Sequence, residues 1–202
     1  MDDVVRESVA AYGAPIRRMT VREFHRAGTK RVFGHDERLE LLRGEVVRMS
    51  PQNSLHAWVT SVLRERLPEL FPGAYLREHS PLSLDDRSET EPDLLVAVGP
   101  TTKYIDRHPG PADTLLVIEV SDSSQRVDRR LKASLYAEFS IPEYWVVDLK
   151  GSRVEVHRQP REDAIGKHAY ASVEIVGVDG NVQPIKSNGR SIAVRDFLPS
   201  GR

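Results

Sequence analysis

A glutamate stands inside the apolar run Leu115-Leu116-Val117-Ile118-Glu119-Val120, and few features constrain a fold more. The run lacks the polar–apolar alternation of a half-exposed strand, so it reads as a strand covered on both faces. A carboxylate inside such a strand needs a cation, a charged partner or a hydrogen-bond network, because burying an unpaired charge is strongly unfavourable. The residues that follow, through Asp148, read as a polar turn, a helix and a second buried strand. Twenty-six positions before Glu119, Asp93 opens another apolar run, Asp93-Leu94-Leu95-Val96-Ala97-Val98. Pro92 precedes it and restrains the chain where that strand begins.

Composition narrows the setting. With 29 basic and 30 acidic residues among 202, no global charge excess draws the chain to phosphate, so a nucleic-acid partner requires a local basic patch. The absence of cysteine excludes disulfides, thiolate zinc sites and cysteine nucleophiles. The first residues have no continuous apolar core, unlike a signal peptide, and the longest apolar runs are too short to span a bilayer. The expectation is a cytoplasmic protein with a lead-in over residues 1–18 and one domain over residues 19–198.

The remaining elements follow from local signals. Thr20, with Glu23 three positions later, is a capping box for a short helix that Gly28 ends. Residues 38–50 read as two strands hinged at Arg43-Gly44. Ser50-Pro51 reads as the start of a helix carrying Leu55, Val59, Val62, Leu63 and Leu67 at helical spacing and ending between Pro68 and Pro72. The stretch 99–113 is long for a loop in a compact domain, and such loops are often functional or mobile. A helix is expected over Gln125–Ser140. Strands over 143–149 and 153–159 turn at 150–152, and a mobile loop over Pro160–His168 precedes a strand over 170–176. The fold class is therefore α/β with a mixed sheet: a helix–strands–helix–strand core over residues 51–149, extended by hairpins on either side.

If the strands bearing Asp93 and Glu119 are neighbours, their carboxylates meet. Two hard oxygen ligands with a backbone carbonyl suit Mg²⁺ or Mn²⁺, which retain several waters. No His-His spacing suited to zinc occurs. On the following helix Asp128, Lys132 and Tyr136 recur every four residues as a polar stripe beside Leu131, Leu135 and Phe139. Lys132 could then orient an attacking water or stabilise developing charge. Plainer readings stand beside these. Asp93 could simply start a turn, Glu119 could pair with a structural base, and Lys132 could be a solvated helix lysine. His56 reads as a structural or surface histidine, Tyr144-Trp145 as a core pair, and Arg126, Arg129 and Arg130 as a solvated face that could also meet phosphates.

Four segments together resemble the PD-(D/E)xK, restriction-endonuclease-like nuclease superfamily and, more narrowly, the Uma2 family. They are LELLRGEVVRMSP…H at 39–56, PDLLV at 92–96, IEVSDSS at 118–124 and DRRLKASLYAEFSIPEYWVVD at 128–148. The resemblance implies a restriction-endonuclease-like fold and a metal-dependent nuclease acting on nucleic acid, foremost DNA. It makes Asp93 and Glu119 the metal ligands, with the Val120 carbonyl a further candidate. The superfamily's lysine two positions after the glutamate is replaced here by Ser121, and the resemblance moves that role to Lys132. Glu45 would complete the site, with Glu40 competing for the place. A homodimer is expected, since nucleases that cut both strands often pair. The competing expectation is a nuclease-fold module that binds or assembles without cutting.

Overall fold

The computed structural model of the chain describes residues 17–34, 37–122 and 127–199. Of the expected lead-in, residues 1–16 lie outside the described residues, as do Gln125 and Arg126 of the expected second long helix.

Helix α1 (Val21–Thr29) starts as the capping box requires: Thr20 Oγ1 accepts from the Glu23 amide, and Glu23 Oε2 accepts from the Thr20 amide at 2.9 Å. Strands β1 (Leu39–Leu42) and β2 (Glu45–Arg48) form the expected hairpin through Arg43 and Gly44. Both turn residues have positive φ, 52° and 81°, as a two-residue turn of the right twist demands. A side chain at Gly44 would also stand 2.9 Å from the Met19 carbonyl, so glycine is required on two counts.

Helix α2 (Ser54–Leu70) begins later than Ser50-Pro51 suggested. Asn53 is the cap that wins: its Oδ1 accepts from the His56 amide at 2.9 Å, leaving Pro51 and Gln52 in the extended approach. Next come β3 (Tyr75–Glu78), β4 (Leu82–Ser83), β5 (Glu89–Thr90), β6 (Leu94–Ala97) and β7 (Thr114–Ser121). The chain then forms a wide π-helical segment, Val127–Lys132, continuing into α3 (Ala133–Glu138). Strands β8 (Glu143–Asp148), β9 (Arg153–Glu162) and β10 (His168–Gly177), and a small pair, β11 (Asn181–Val182) and β12 (Ile192–Ala193), complete the described elements.

Six strands make the central sheet in the order β10-β9-β8-β7-β6-β3. Only β7 and β8 run parallel, joined by the helical crossover, and the other pairs are antiparallel. On one face α2 packs Val59, Leu63 and Leu67 against Leu94, Val96, Leu116, Ile118 and Trp145, with Phe197 and Leu198 closing the layer. On the other face Leu135 and Tyr136 of α3, with Leu42 and Leu82, cover Leu95, Val117, Tyr144 and Val146. The apolar run around Glu119 is thus buried on both sides, each large side chain contributing about 1.5–3 kcal/mol relative to exposure. Neighbours Tyr144 and Trp145 enter opposite layers, as alternation along a strand dictates.

The two flanking hairpins behave differently. The C-terminal hairpin extends the central sheet, and its loop is only Asp163–Lys167 because β9 and β10 continue through Pro160. That proline lies past Arg158, the last β9 residue paired with β8, so its missing N–H breaks no ladder there. The N-terminal hairpin instead builds a separate four-stranded sheet, β2-β1-β5-β4, because β1 pairs with β5 at Leu41–Glu89. The stretch 99–113 is also no loose loop: it holds two short 3₁₀ turns and is tied down by Asp113.

Candidate active site

The register of β6 on β7 pairs Leu94 with Ile118, which sets Asp93 directly opposite Glu119. Because Ile118 and Val120 point toward α2, Glu119 points toward α3. Lys132 and Tyr136 meet it there. Lys132 Nζ donates to Glu119 Oε1 at 2.8 Å and to Glu40 Oε1 at 3.0 Å, and the Tyr136 hydroxyl lies 3.2 Å from both Glu119 Oε1 and Thr90 Oγ1. Glu40 Oε1 also accepts from the Glu91 amide at 2.8 Å.

Asp128, Lys132 and Tyr136 were expected as a polar stripe beside the core, yet all three are buried. A π turn rotates the chain less per residue than an α turn, so its drift opposes that of the α-helix that follows. The three residues, spaced four apart, therefore stay nearly in line across the change of helix type.

Asp93 is held from the other side. The Val120 amide donates to its Oδ2 at 2.8 Å, and His56 Nε2 lies 3.0 Å from the same oxygen. Gln52 Nε2 donates to Oδ1 at 3.3 Å, and His79 Nδ1 is 3.4 Å from Oδ1. His79 reaches it from a left-handed backbone conformation, φ 43°, a strained geometry for a non-glycine residue. His56 is thus no bystander: its ring is buried against the aspartate.

The electrostatics follow from three carboxylates sharing one lysine. Burial pushes the Asp93 carboxyl up, but the His56 hydrogen bond and charge, the Val120 amide and Lys132 outweigh it and hold it below its usual range. Burial pushes Glu119 well above the usual carboxylate range; Lys132 opposes this, while Asp93, Asp128 and Glu40 add to it. For Lys132 burial alone would lower the ammonium, but Glu119 and Glu40 more than compensate and keep it charged. Burial lowers His79 despite the neighbouring Asp93.

These groups line a cleft of about 70 Å³, with Glu40, Gln52, His56, Asp93, Glu119 and Lys132 in its wall. Glu45 does not line it. Glu40 and Glu45 face the same side, since they pair with Val47 and Leu42, but Glu45 is two positions nearer the turn, about 7 Å along the strand. There it lies 3.7 Å from Arg18, so of the two glutamates Glu40 is the one that the fold brings to the cleft. Val120 lines the cleft and its amide anchors Asp93. Of the expected arginine face, Arg129 is drawn into ion pairs with Asp148 at 2.6 Å and Glu155 at 2.7 Å, while Arg130 stays exposed.

The donor set fits a hard divalent cation. Asp93 and Glu119 offer carboxylate oxygens side by side, and Glu119 Oε2 takes part in none of the hydrogen bonds above. Burial first, and then the neighbouring Asp93, Asp128 and Glu40 charges, raise the Glu119 carboxyl despite Lys132, and a divalent cation held beside it would oppose that shift. Among the described residues no three His, Asp or Glu side chains gather closely enough to cage an ion. A cation held here would therefore keep water ligands, as Mg²⁺ does.

The structure brings together Asp93, Glu119 and Lys132, the residues singled out from the sequence, and adds His56, Gln52, Tyr136 and Thr90 around them. The available signal was Asn53: placing the cap there puts His56 in the first helical turn and leaves Gln52 in the extended approach beside the strand ends.

Comparison with known proteins gives a family and a fold. The family model described as "Uma2: Putative restriction endonuclease" matches residues 21–199. Among solved structures, a "putative nuclease belonging to DUF820" from Anabaena variabilis ATCC 29413 superposes with a TM-score of 0.65 at 16% identity. The match covers 91% of this chain and 98% of that one, a likeness of fold. No curated protein matches.

Proposed function

The chain belongs to the Uma2 family, and from that premise we propose that it is a Mg²⁺- or Mn²⁺-dependent nuclease hydrolysing phosphodiester bonds in nucleic acid, with DNA as the first substrate to test. The observation that carries the reading is the convergence of Glu119, Lys132 and Glu40 in one cleft beside Asp93, from four separate segments. Asp93, Glu119 and the Val120 carbonyl would hold the metal, whose charge would neutralise the scissile phosphate and acidify a water. The chain's own residues do the rest. Lys132, kept charged, presents its ammonium where a water attacks or a phosphoryl oxygen gains charge. Glu40 and Tyr136 fix Lys132 and Glu119 respectively, so neither reorganises during reaction. Arg48, exposed on the cleft wall, supplies local positive charge that the overall composition lacks.

The test is nicking of supercoiled DNA by purified protein with Mg²⁺ or Mn²⁺. Asp93→Ala and Lys132→Ala should each lower the rate about a hundredfold or more. Parent-like nicking by both variants would overturn the assignment. The competing reading, a nuclease-fold module that binds without cutting, draws on one observation: Lys132 Nζ already serves two carboxylates. A calorimetric Mn²⁺ titration separates the two. Binding that depends on Asp93 and Glu119 supports the nuclease, and its absence supports the module.

A further inference from the structure

Strand β1 is a wall between two cavities. Leu39 and Glu40 are consecutive and point to opposite faces, so Glu40 lines the cleft while Leu39 lines a groove of about 790 Å³ beside α1. Arg38 borders both cavities. Glu91 joins them a second way: its amide donates to Glu40 at 2.8 Å, and its carboxylate stands in the groove wall, 2.7 Å from Arg38. The two differ in capacity. Small-molecule sites span roughly 300–1,000 Å³. The groove lies within that range and the cleft, at about 70 Å³, far below it, so a nucleotide held at the cleft must place its base elsewhere.

The groove is aromatic and balanced in charge. Phe24 and Phe33 line it with ring centroids 5.6 Å apart, and His25 adds a third ring 6.1 Å from Phe24. Helix α1 sets Val21, Phe24 and Ala27 on one stripe, yet none of its residues is buried, so this apolar face is left partly open. Of the two carboxylates in the wall, Glu91 pairs with Arg38, and Glu37 accepts from the Gly34 amide at 3.0 Å. Arg31 stands exposed at the rim, and among the described residues its side chain makes no hydrogen bond or ion pair.

We propose that the groove receives an unpaired base of the strand whose phosphate enters the cleft, which makes the substrate class single-stranded nucleic acid, or a duplex opened by negative supercoiling. The base stacks on Phe24 and Phe33, and Arg31 takes a neighbouring phosphate. A run of phosphates along the groove would meet Glu37 and Glu91, whereas the face of a base is uncharged and suits an aromatic floor. In a closed duplex the base faces cover one another and cannot reach such a floor. The inference rests on the nuclease reading only for the strand's entry into the cleft.

Fluorescence anisotropy of the full chain in EDTA, where no strand is cut, tests this with a labelled single-stranded DNA oligonucleotide and with the same strand annealed to its complement. The single strand should bind about tenfold more tightly than the duplex, and Phe33→Ala should weaken it about tenfold with an unchanged circular dichroism spectrum. Arg31→Gln should lower the slope of log affinity against log salt by about 0.7, the loss of one phosphate contact to a single strand. Arg22→Gln removes an exposed charge of α1 outside the groove and should leave that slope unchanged. Equal binding of single strand and duplex overturns the proposal, as does parent-like affinity in Phe33→Ala. A parent dimer that Phe33→Ala dissociates, with oligonucleotide affinity unchanged, overturns it too and gives the face to a second copy. The expected binding without nicking in Mg²⁺ or Mn²⁺ upholds the groove and sinks the nuclease reading. Nicking of relaxed and supercoiled plasmid at equal rates, with equal binding of single strand and duplex, does the reverse.

Discussion

Lys132 shows how one residue's meaning depends on company. A helix lysine is ordinarily solvated, but this one is buried between two carboxylates contributed by strands 13 and 92 positions away. Removing it strands Glu40 and Glu119 without a cation, and an ion pair broken on one side in the interior costs about 3–5 kcal/mol. Lys132→Ala should accordingly lower the urea-unfolding free energy by that order in metal-free buffer, and adding Glu119→Gln should recover part of it. A loss below about 1 kcal/mol would mean the cluster is wetter than its burial implies. His56 makes the converse point. Its residue type and helical position were plain, yet its bond to Asp93 depends on a strand 37 positions later.

At the scale of elements, local rules succeeded where they acted over a few residues. The capping box of α1, the Arg43-Gly44 turn and the two buried strands were readable because cap, turn and alternation are short-range physics. The start of α2 was misplaced by three residues because Ser50-Pro51 and Asn53 both offer caps, and the strand ends it faces chose between them. The stretch 99–113 looked free because the residues that pin it are charged ones on its own surface. Asp113 accepts from Arg107 and from Lys103, each at 2.6 Å, and from the Gly110 amide at 3.1 Å. The Arg107 hydrogen bond leads in depressing its carboxyl far below the usual range, with Lys103 and Gly110 outweighing the effect of burial. A depressed carboxyl stabilises above its unfolded pKa, near 4, and the benefit is lost as pH falls. Asp113→Asn should thus cost about 1–2 kcal/mol at pH 7, discounted because Lys103 and Arg107 are partly exposed. The gap to the parent should narrow as the pH drops below about 4, followed by thermal melts across that range. A gap independent of pH would assign Asp113 a purely packing role.

For the whole molecule, the metal site proposed in the cleft would tie cation binding to stability. A cation that binds only the folded chain at a hundred times its Kd adds about 2.7 kcal/mol. For a chain of this size that is an increase in Tm of about 5–10 °C. Millimolar Mn²⁺ should produce such a shift in the parent and none in Asp93→Asn, and an unmoved parent would argue against a metal in this cleft. The described residues contain no helix long and apolar enough to cross a membrane.

Read as a string, the chain already specifies a mixed α/β core and a glutamate that cannot be buried unaided, with an aspartate that faces it only if their two strands are neighbours. Those conclusions need only burial, alternation and the energy of an unpaired charge. Folding decided what no window of sequence contains: Glu40 rather than Glu45 at Lys132, His56 and Gln52 at Asp93, and the N-terminal hairpin in a sheet of its own. Each depends on strand register between segments tens of residues apart, where a shift of two positions moves a carboxylate about 7 Å and out of the site.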